Sequence, residues 1–281
     1  MSNNKNRISL GFSPCPNDTF IFDAMVNHKI DTEGLDFEYV FADVEELNNK
    51  AFRKELDVTK ISYHAFLYLT DDFLLLRSGS ALGINCGPLL ISKNPISDLS
   101  KATIAIPGKH TTANYLFSLF APDAKNRKEV LFSEIENQVL LDEVDAGVII
   151  HENRFTYQDK GLIKIADLGE FWEAQTKMPI PLGGIIANKK LGLEMISKIN
   201  RILRNSVKFA FDNPDSSKEF VSNHSQEMAD DVVKKHIALY VNDFSIDLGE
   251  KGLNAISFLF EKAKEANLIK DYPKEFYIND F

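Results

Sequence analysis

Four short segments carry more reactive side chains than plain connections need: "SPCPNDT" (13–19), "KISYH" (60–64), "PGKHTT" (107–112) and "IIHENR" (149–154). Of their residues, His151 is the sharpest candidate for chemistry. The run "AGVII" before it reads as a buried strand, so the imidazole emerges where that strand leaves the core, beside Glu152. Imidazole is the side chain best suited to accept a proton near neutral pH. The competing reading is a core histidine satisfied by one backbone bond.

"PGKHTT" offers a different chemistry. Pro107-Gly108 ends a strand, and Thr111 or Thr112 can cap the helix that follows. First-turn N–H groups and hydroxyls would then point at an anion, helped by the helix dipole, and a carboxylate fits this well. The Walker pattern is missing, which argues against a nucleotide phosphate. In "KISYH", Lys60 supplies charge and Ser62 a donor at a strand end; the plainer alternative is an ordinary strand end with a snorkelling lysine.

In "SPCPNDT", Ser13 and Asn17 are the side chains expected to touch a ligand, with Asp18 or Thr19 starting the next helix as its cap. Cys15 lies near a helix N-terminus, which can lower a thiol pKa. No base is visible beside it, so it reads as lining rather than as a nucleophile. The remaining histidines rank lower: His28 at a helix end, His224 and His236 in a helical C-terminal part, and His64 and His110 in the turns themselves. Phe12, Phe20, Tyr115, Phe155 and Trp172 could wall a flat pocket.

The elements that must position these turns alternate. "RISLGFS", "LDFEYVF", "DVTKIS" and "FLLLRSG" read as strands, separated by helical patterns in "TFIFDAMVNHKI", "DVEELNNKAFRKE" (with Asp43 as N-cap) and "YHAFLYL". This rhythm predicts a mainly parallel sheet with helices on both faces. A second series follows: "ATIAIPG", "TTANYLFSLF", "EVLFS", "EIENQVLLDEV", "AGVII" and "GLIKIADL". Two apolar crossing segments, "CGPLLISK" and "PLGGIIANK", flank it, and the chain from about Leu193 is helical. The expected architecture is α/β with a discontinuous first domain (1–92 plus 188–281), a second α/β domain inserted into it (93–187), and a cleft between them. Ligands of open parallel sheets sit at the carboxyl ends of strands. All four turns lie at such ends and so are expected to face one ligand.

Composition narrows the partners. The chain has 281 residues, 44% hydrophobic and 26% charged, with a formal net charge of -9. An acidic balance argues against nucleic acid as main partner, since a phosphate-binding surface needs a basic excess. Cys15 and Cys86 make neither a disulfide framework nor a CxxC pair for zinc, so no metal is expected. The polar start "MSNNKNRISLGF" lacks the apolar core of a secretory signal, and no run is long enough to span a bilayer, so a cytoplasmic location without a membrane partner is expected. An apolar helix face in the C-terminal part is compatible with a homodimer.

Taken together, "GFSPCPNDTFIFDA", "KISYHA", "RSGSALG", "GPLLISK", "PGKHTTANYLF", "GVIIHENRFTY", "PLGGIIA" and "YVNDFSIDLGEKG" resemble the 1,4-dihydroxy-6-naphthoate synthase family of the futalosine route to menaquinone. The likeness runs over nearly the whole chain. It implies the two-domain fold of type 2 periplasmic binding proteins. It also implies a lyase that converts cyclic dehypoxanthine futalosine to 1,4-dihydroxy-6-naphthoate and dihydroxyacetone, with no metal or organic cofactor. By this resemblance the histidine base falls on His151, and the substrate contacts on Lys60, Ile61, Ser62, Thr111 and Thr112. A base that starts a retro-aldol-like cleavage suits this reaction, because aromatisation supplies driving force and the protein need only orient, deprotonate and exclude water. Two rivals remain at this stage: the chorismate dehydratase of the same pathway, and a solute-binding protein that does no chemistry, since fold alone does not fix function.

Overall fold

The first strand sets the pattern for the molecule: Ile8, Leu10 and Phe12 of β1 (Arg7–Phe12) are buried. The structure is a computed structural model and describes residues 6–225 and 229–279. After β1 come α1 (Pro16–Val26), β2 (Asp36–Phe41), α2 (Val44–Phe52), β3 (Val58–Ser62), α3 (Tyr63–Phe66), β4 (Phe73–Leu75) and β5 (Ala81–Gly83). The chain then crosses to β6 (Leu89–Ser92), β7 (Ile104–Ile106), α4 (Thr112–Phe120), β8 (Arg127–Glu129), α5 (Ile135–Leu140), β9 (Ala146–Ile149), α6 (Asn153–Thr156), β10 (Ile163–Asp167) and α7 (Leu168–Thr176). It returns through β11 (Ile180–Asn188) and ends in α8 (Leu193–Asp212), α9 (Lys218–His224), α10 (Asp230–Tyr240), α11 (Asp243–Ile246) and α12 (Gly249–Glu265).

Two sheets result, one per domain. The first has the order β2-β1-β3-β11-β4, with β5 also on β11; the second has the order β10-β6-β9-β7-β8. The chain passes from one sheet to the other between Gly83 and Leu89, and back between Asp167 and Ile180. Both crossings precede the boundaries expected at 92 and 187. Within each sheet the βα-linked strands are parallel, as expected: β1 with β2 and β3, and β7 with β8 and β9. The crossing strands are antiparallel to their neighbours: β11 to β3, β4 and β5, and β6 to β9 and β10. The sheets are therefore mixed rather than mainly parallel. A strand that leaves or re-enters a domain without a crossover helix has no reason to run with the others.

Side by side, the two crossings touch backbone to backbone. A Cβ on Gly87 would stand 2.3 Å from the Cα and N of Gly169. Arg154 braces the same place, donating to Gly87 O, to Asn85 O at 3.0 Å and to Asp167 Oδ2 at 2.8 Å.

Side-chain caps set the starts of α2, α4, α7 and α11. Asp43 caps α2, accepting from Glu45 N at 2.9 Å and Glu46 N at 3.3 Å. On α8 the buried positions Ile196, Ile199, Asn200, Ile202, Leu203, Ser206, Val207 and Ala210 follow the helical period and form one face. That face packs on α1, where Ser206 Oγ donates to Ile21 O at 2.7 Å. Because α1 is buried on nearly all sides, its polar residues Asn17, Asp18 and Asp23 must find partners inside the protein. The expected strand "EVLFS" (129–133) is displaced: β8 ends at Glu129, where that run begins, and Phe132–Glu134 form a 3-10 turn.

Candidate active site

All four turns meet. Ser13, Asn17, Lys60, Ile61, Ser62, Thr111, Thr112 and His151 line one cleft between the domains. It holds about 690 Å³ of empty space including its open mouth. Carboxyl ends of β1, β3, β7 and β9 supply these residues, and β11 adds Leu182 and Gly183.

In the first turn, α1 starts at Pro16 with Cys15 at the cap position, earlier than the expected start at Asp18 or Thr19. Proline suits that place, since its φ is already helical and it has no N–H to satisfy. Asp18 thus lies inside the first turn, and its carboxylate reaches back. Oδ2 accepts from Ser13 Oγ at 2.8 Å and Ser13 N at 3.2 Å, while Oδ1 accepts from Asn17 Nδ2 at 2.8 Å. Lys60 Nζ stands 3.1 Å from the same Oδ1 and also donates to Gly79 O at 3.1 Å. Lys60 is therefore a buried, paired cation of the cleft wall rather than a snorkelling one.

Ser62 ends β3 with both its backbone and side chain held by Asn48: Ser62 N donates to Asn48 Oδ1 at 2.9 Å, and Asn48 Nδ2 donates to Ser62 Oγ at 3.3 Å. Across the cleft, Thr111 is the cap of α4. Its Oγ1 accepts from Asn114 N at 3.2 Å and donates to Gly108 O at 2.8 Å. Thr112 Oγ1 donates to Leu182 O at 2.7 Å, tying the second domain to β11 of the first. The Thr112 and Ala113 N–H groups belong to the first turn, where a helix supplies no internal acceptor, so the cleft wall here suits an anion. A second tie closes the same edge: Glu45 of α2 accepts from His110 N at 3.1 Å, and burial raises its pKa.

His151 follows β9 with a backbone φ of 56°. A non-glycine residue there costs about 1–3 kcal/mol, so the surroundings hold it in place. Its Nε2 is buried without a hydrogen-bond partner. Burial is the main cause that lowers its pKa to about 4; the nearby Asp18 charge opposes this and Lys60 adds to it. The imidazole is accordingly neutral at pH 7. His64 is likewise lowered to about 4 by burial, but its Nδ1 is engaged by Thr111 O at 3.2 Å and its ring stacks on Tyr115.

Cys15 Sγ, a His151 ring nitrogen and a Glu152 carboxylate oxygen lie within 4.8 Å of one another. Burial, then the Glu152 charge, pushes the thiol well above its usual value, so Cys15 keeps its proton. The trio gathers three groups that can carry a proton, and a thiol that keeps its own is not an activated nucleophile.

Sequence reasoning missed three residues of this neighbourhood: Asp18 as a site carboxylate, Tyr240 as a wall of the cleft, and His236 behind it. His236, ranked low as part of the helical tail, is fully buried, with Nε2 2.8 Å from Asn17 Oδ1 and a ring centroid 6.0 Å from that of His151. The run itself carried no signal for this: only the structure shows that His236 and Tyr240, one turn apart, are the buried residues of α10. None of the five aromatics expected to wall the pocket does so. Phe12, Tyr115 and Trp172 are core residues, Phe155 lies outside the cleft lining, and Phe20 lines a separate cavity between α9 and α10.

Comparison with known proteins follows the same lines. A family profile described as "Menaquinone biosynthesis" matches residues 8–265. The chain is 41% identical to the "1,4-dihydroxy-6-naphtoate synthase" of Thermus thermophilus, covering 96% of this chain and 99% of the relative. It is 44% identical to the protein of the same name from Streptomyces coelicolor, covering 93% and 94%. Among solved structures, a Candida albicans gene product described as having the generic periplasmic binding protein fold superposes with a TM-score of 0.69 at 13% identity, covering 97% of each chain. That likeness establishes the expected fold. Among the described residues, no helix is long and apolar enough to cross a membrane.

Proposed function

The chain belongs to the menaquinone-biosynthesis family and matches enzymes named 1,4-dihydroxy-6-naphthoate synthase over nearly its full length; on that premise we propose that it is a cytoplasmic, cofactor-independent lyase acting on cyclic dehypoxanthine futalosine. The products are 1,4-dihydroxy-6-naphthoate and dihydroxyacetone. The single observation that carries this reading is His151: a neutral imidazole with its Nε2 buried and unpartnered, in a cleft it shares with the start of α4.

The substrate carboxylate binds at Thr111 and Thr112, against first-turn N–H groups and the positive end of the helix dipole. Ser62 and Ile61 on β3, with Ser13 and Asn17 on the turn after the neighbouring β1, hold the polyhydroxylated ring. Lys60 does not need to leave Asp18 to contribute, since its charge lies at the cleft surface. His151 removes a hydroxyl proton from the ring. The electron pair left on oxygen forms a carbonyl as the adjacent carbon–carbon bond breaks, and the released pair passes into the ring that aromatises. The imidazolium then returns its proton to the ring oxygen on which that pair comes to rest, so no oxidant or water is consumed. Closure of the domains supplies orientation and a dry site.

The test is a product assay on purified protein and its His151→Asn variant with cyclic dehypoxanthine futalosine, without added metal, with the naphthoate read by mass. Product from the wild type and a fall of about 10²–10⁴ in the variant supports reaction and base together. Equal turnover removes His151 from its role. Binding without product in either returns the chain to the carrier reading, and consumption of chorismate to the dehydratase reading.

A further inference from the structure

We propose that His236 is the positioning residue for His151: its ring is the wall that orients the His151 imidazole, and Asn17 holds that wall in place. The inference rests on the reading of His151 as the base.

His151 Nε2 has no hydrogen-bond partner, so ring contacts orient the imidazole. There are two. Phe132 meets it edge-on, with centroids 5.0 Å apart at 68°. His236 lies nearly parallel to it, at 6.0 Å and 17°, within the 4.5–7 Å range of favourable ring pairs. Phe132 belongs to the same domain as His151. His236 reaches it from α10 of the other domain, so this contact forms only when the two domains meet.

His236 is itself fixed by a chain of hydrogen bonds with a forced direction. Asn17 Nδ2 donates to the Asp18 carboxylate, which leaves Asn17 Oδ1 to face His236. An amide oxygen only accepts, so His236 carries its proton on Nε2. Nδ1 is then the bare nitrogen, 3.7 Å from Glu152 Oε2. The titratable groups around this ring are His151, Glu152 and Tyr240 (centroids 4.7 Å apart), with Asp18 and Lys60 behind Asn17. The ring thus stands fully buried between Asn17 on one side and the His151 imidazole on the other.

Two substitutions separate this role from simple core satisfaction. His236→Gln keeps a donor for Asn17 but removes the ring. His236→Phe keeps a ring but leaves Asn17 without its donor. A structural hydrogen-bond role makes Gln benign and Phe harmful, and the positioning role makes the reverse. We expect Gln to lower kcat about 10–100-fold with KM within about threefold, the scale of loss when a base is left to wander, and Phe to recover to within about fivefold of wild type. Thermal melts of both variants verify that they fold. If Phe costs as much as Gln, or Gln leaves kcat unchanged, the proposal is overturned.

The same substitution in a His151→Asn background distinguishes this idea from its premise. His236→Gln should cost nothing further there, and a further loss means His236 acts on its own. If His151→Asn alone turns over like wild type, the base reading falls instead, and the positioning claim is judged by NMR without activity. One sharp Cε1–H signal for His151 is expected in the wild type and in His236→Phe. It should broaden or double in His236→Gln, and an unchanged signal in that variant refutes the wall.

Discussion

Lys60 Nζ and Asp18 Oδ1 lie 3.1 Å apart with both side chains almost wholly buried, at 9% and 3% exposure, where the carboxyl ends of β3 and β1 face the cleft. Ser13 and Asn17 complete the shell of the carboxylate. Removing one member of such a pair strands the other charge in low dielectric, which typically costs 3–5 kcal/mol. We expect Lys60→Met to lower stability by about 3 kcal/mol, read by urea denaturation, and Lys60→Met/Asp18→Asn to lose less than the two single variants summed. Additive losses would show that the pair is not coupled.

Thr111 joins a structural cap to the proposed carboxylate site. Thr111→Val removes the cap bond to Asn114 N, worth about 1 kcal/mol of stability, and disturbs the helix start that receives the anion. KM is expected to rise about tenfold with a smaller fall in kcat, and Thr111→Ser, which keeps the oxygen, should restore both. Steady-state kinetics on the three proteins checks this.

The lowered histidines make stability depend on acid. His151 and His64 titrate near 4 in the folded protein because burial opposes their charged form, and near 6.5 when unfolded. Between those values the unfolded chain binds more protons, so stability rises with pH across that window and is lost as pH falls from 6.5 towards 4. Each residue accounts for up to about 3 kcal/mol. Melting temperatures measured from pH 7 to 4 should fall, and His64→Asn should flatten the slope. A flat profile in the wild type would contradict the neutral, buried state of both rings.

The meeting of the two crossings leaves no room for a side chain. Gly87→Ala puts a methyl group 2.3 Å from the Gly169 backbone, which must shift at a cost of about 1–3 kcal/mol. Gly34, at φ 79° with nothing near its Cβ, pays only the left-handed backbone term of about 1–2 kcal/mol on change to Ala. The two variants should therefore differ in a second respect: Gly87→Ala should also impair turnover by displacing Arg154 and the segment behind His151, while Gly34→Ala leaves kcat unchanged. Equal kcat in both would separate the crossing from the site.

Much of this was written locally. The four turns, the strand ends that carry them, the Asp43 and Thr111 caps and the exit of His151 from its strand all depend on residues within a few positions of one another, so period and punctuation reveal them. The long motifs added the family and, with it, the fold. Tertiary structure alone decided the rest, because it depends on contacts between distant segments. The start of α1 at Pro16 turned Asp18 from a cap into a buried carboxylate, and only the neighbouring β3 shows that Lys60 neutralises it. The direction of β6 and β11, and so the mixed sheets, follows from where the chain changes domain. His236 lies 219 residues from Asn17 in a run that reads as an ordinary amphipathic helix. Nothing near it in sequence places its ring behind the imidazole of another domain.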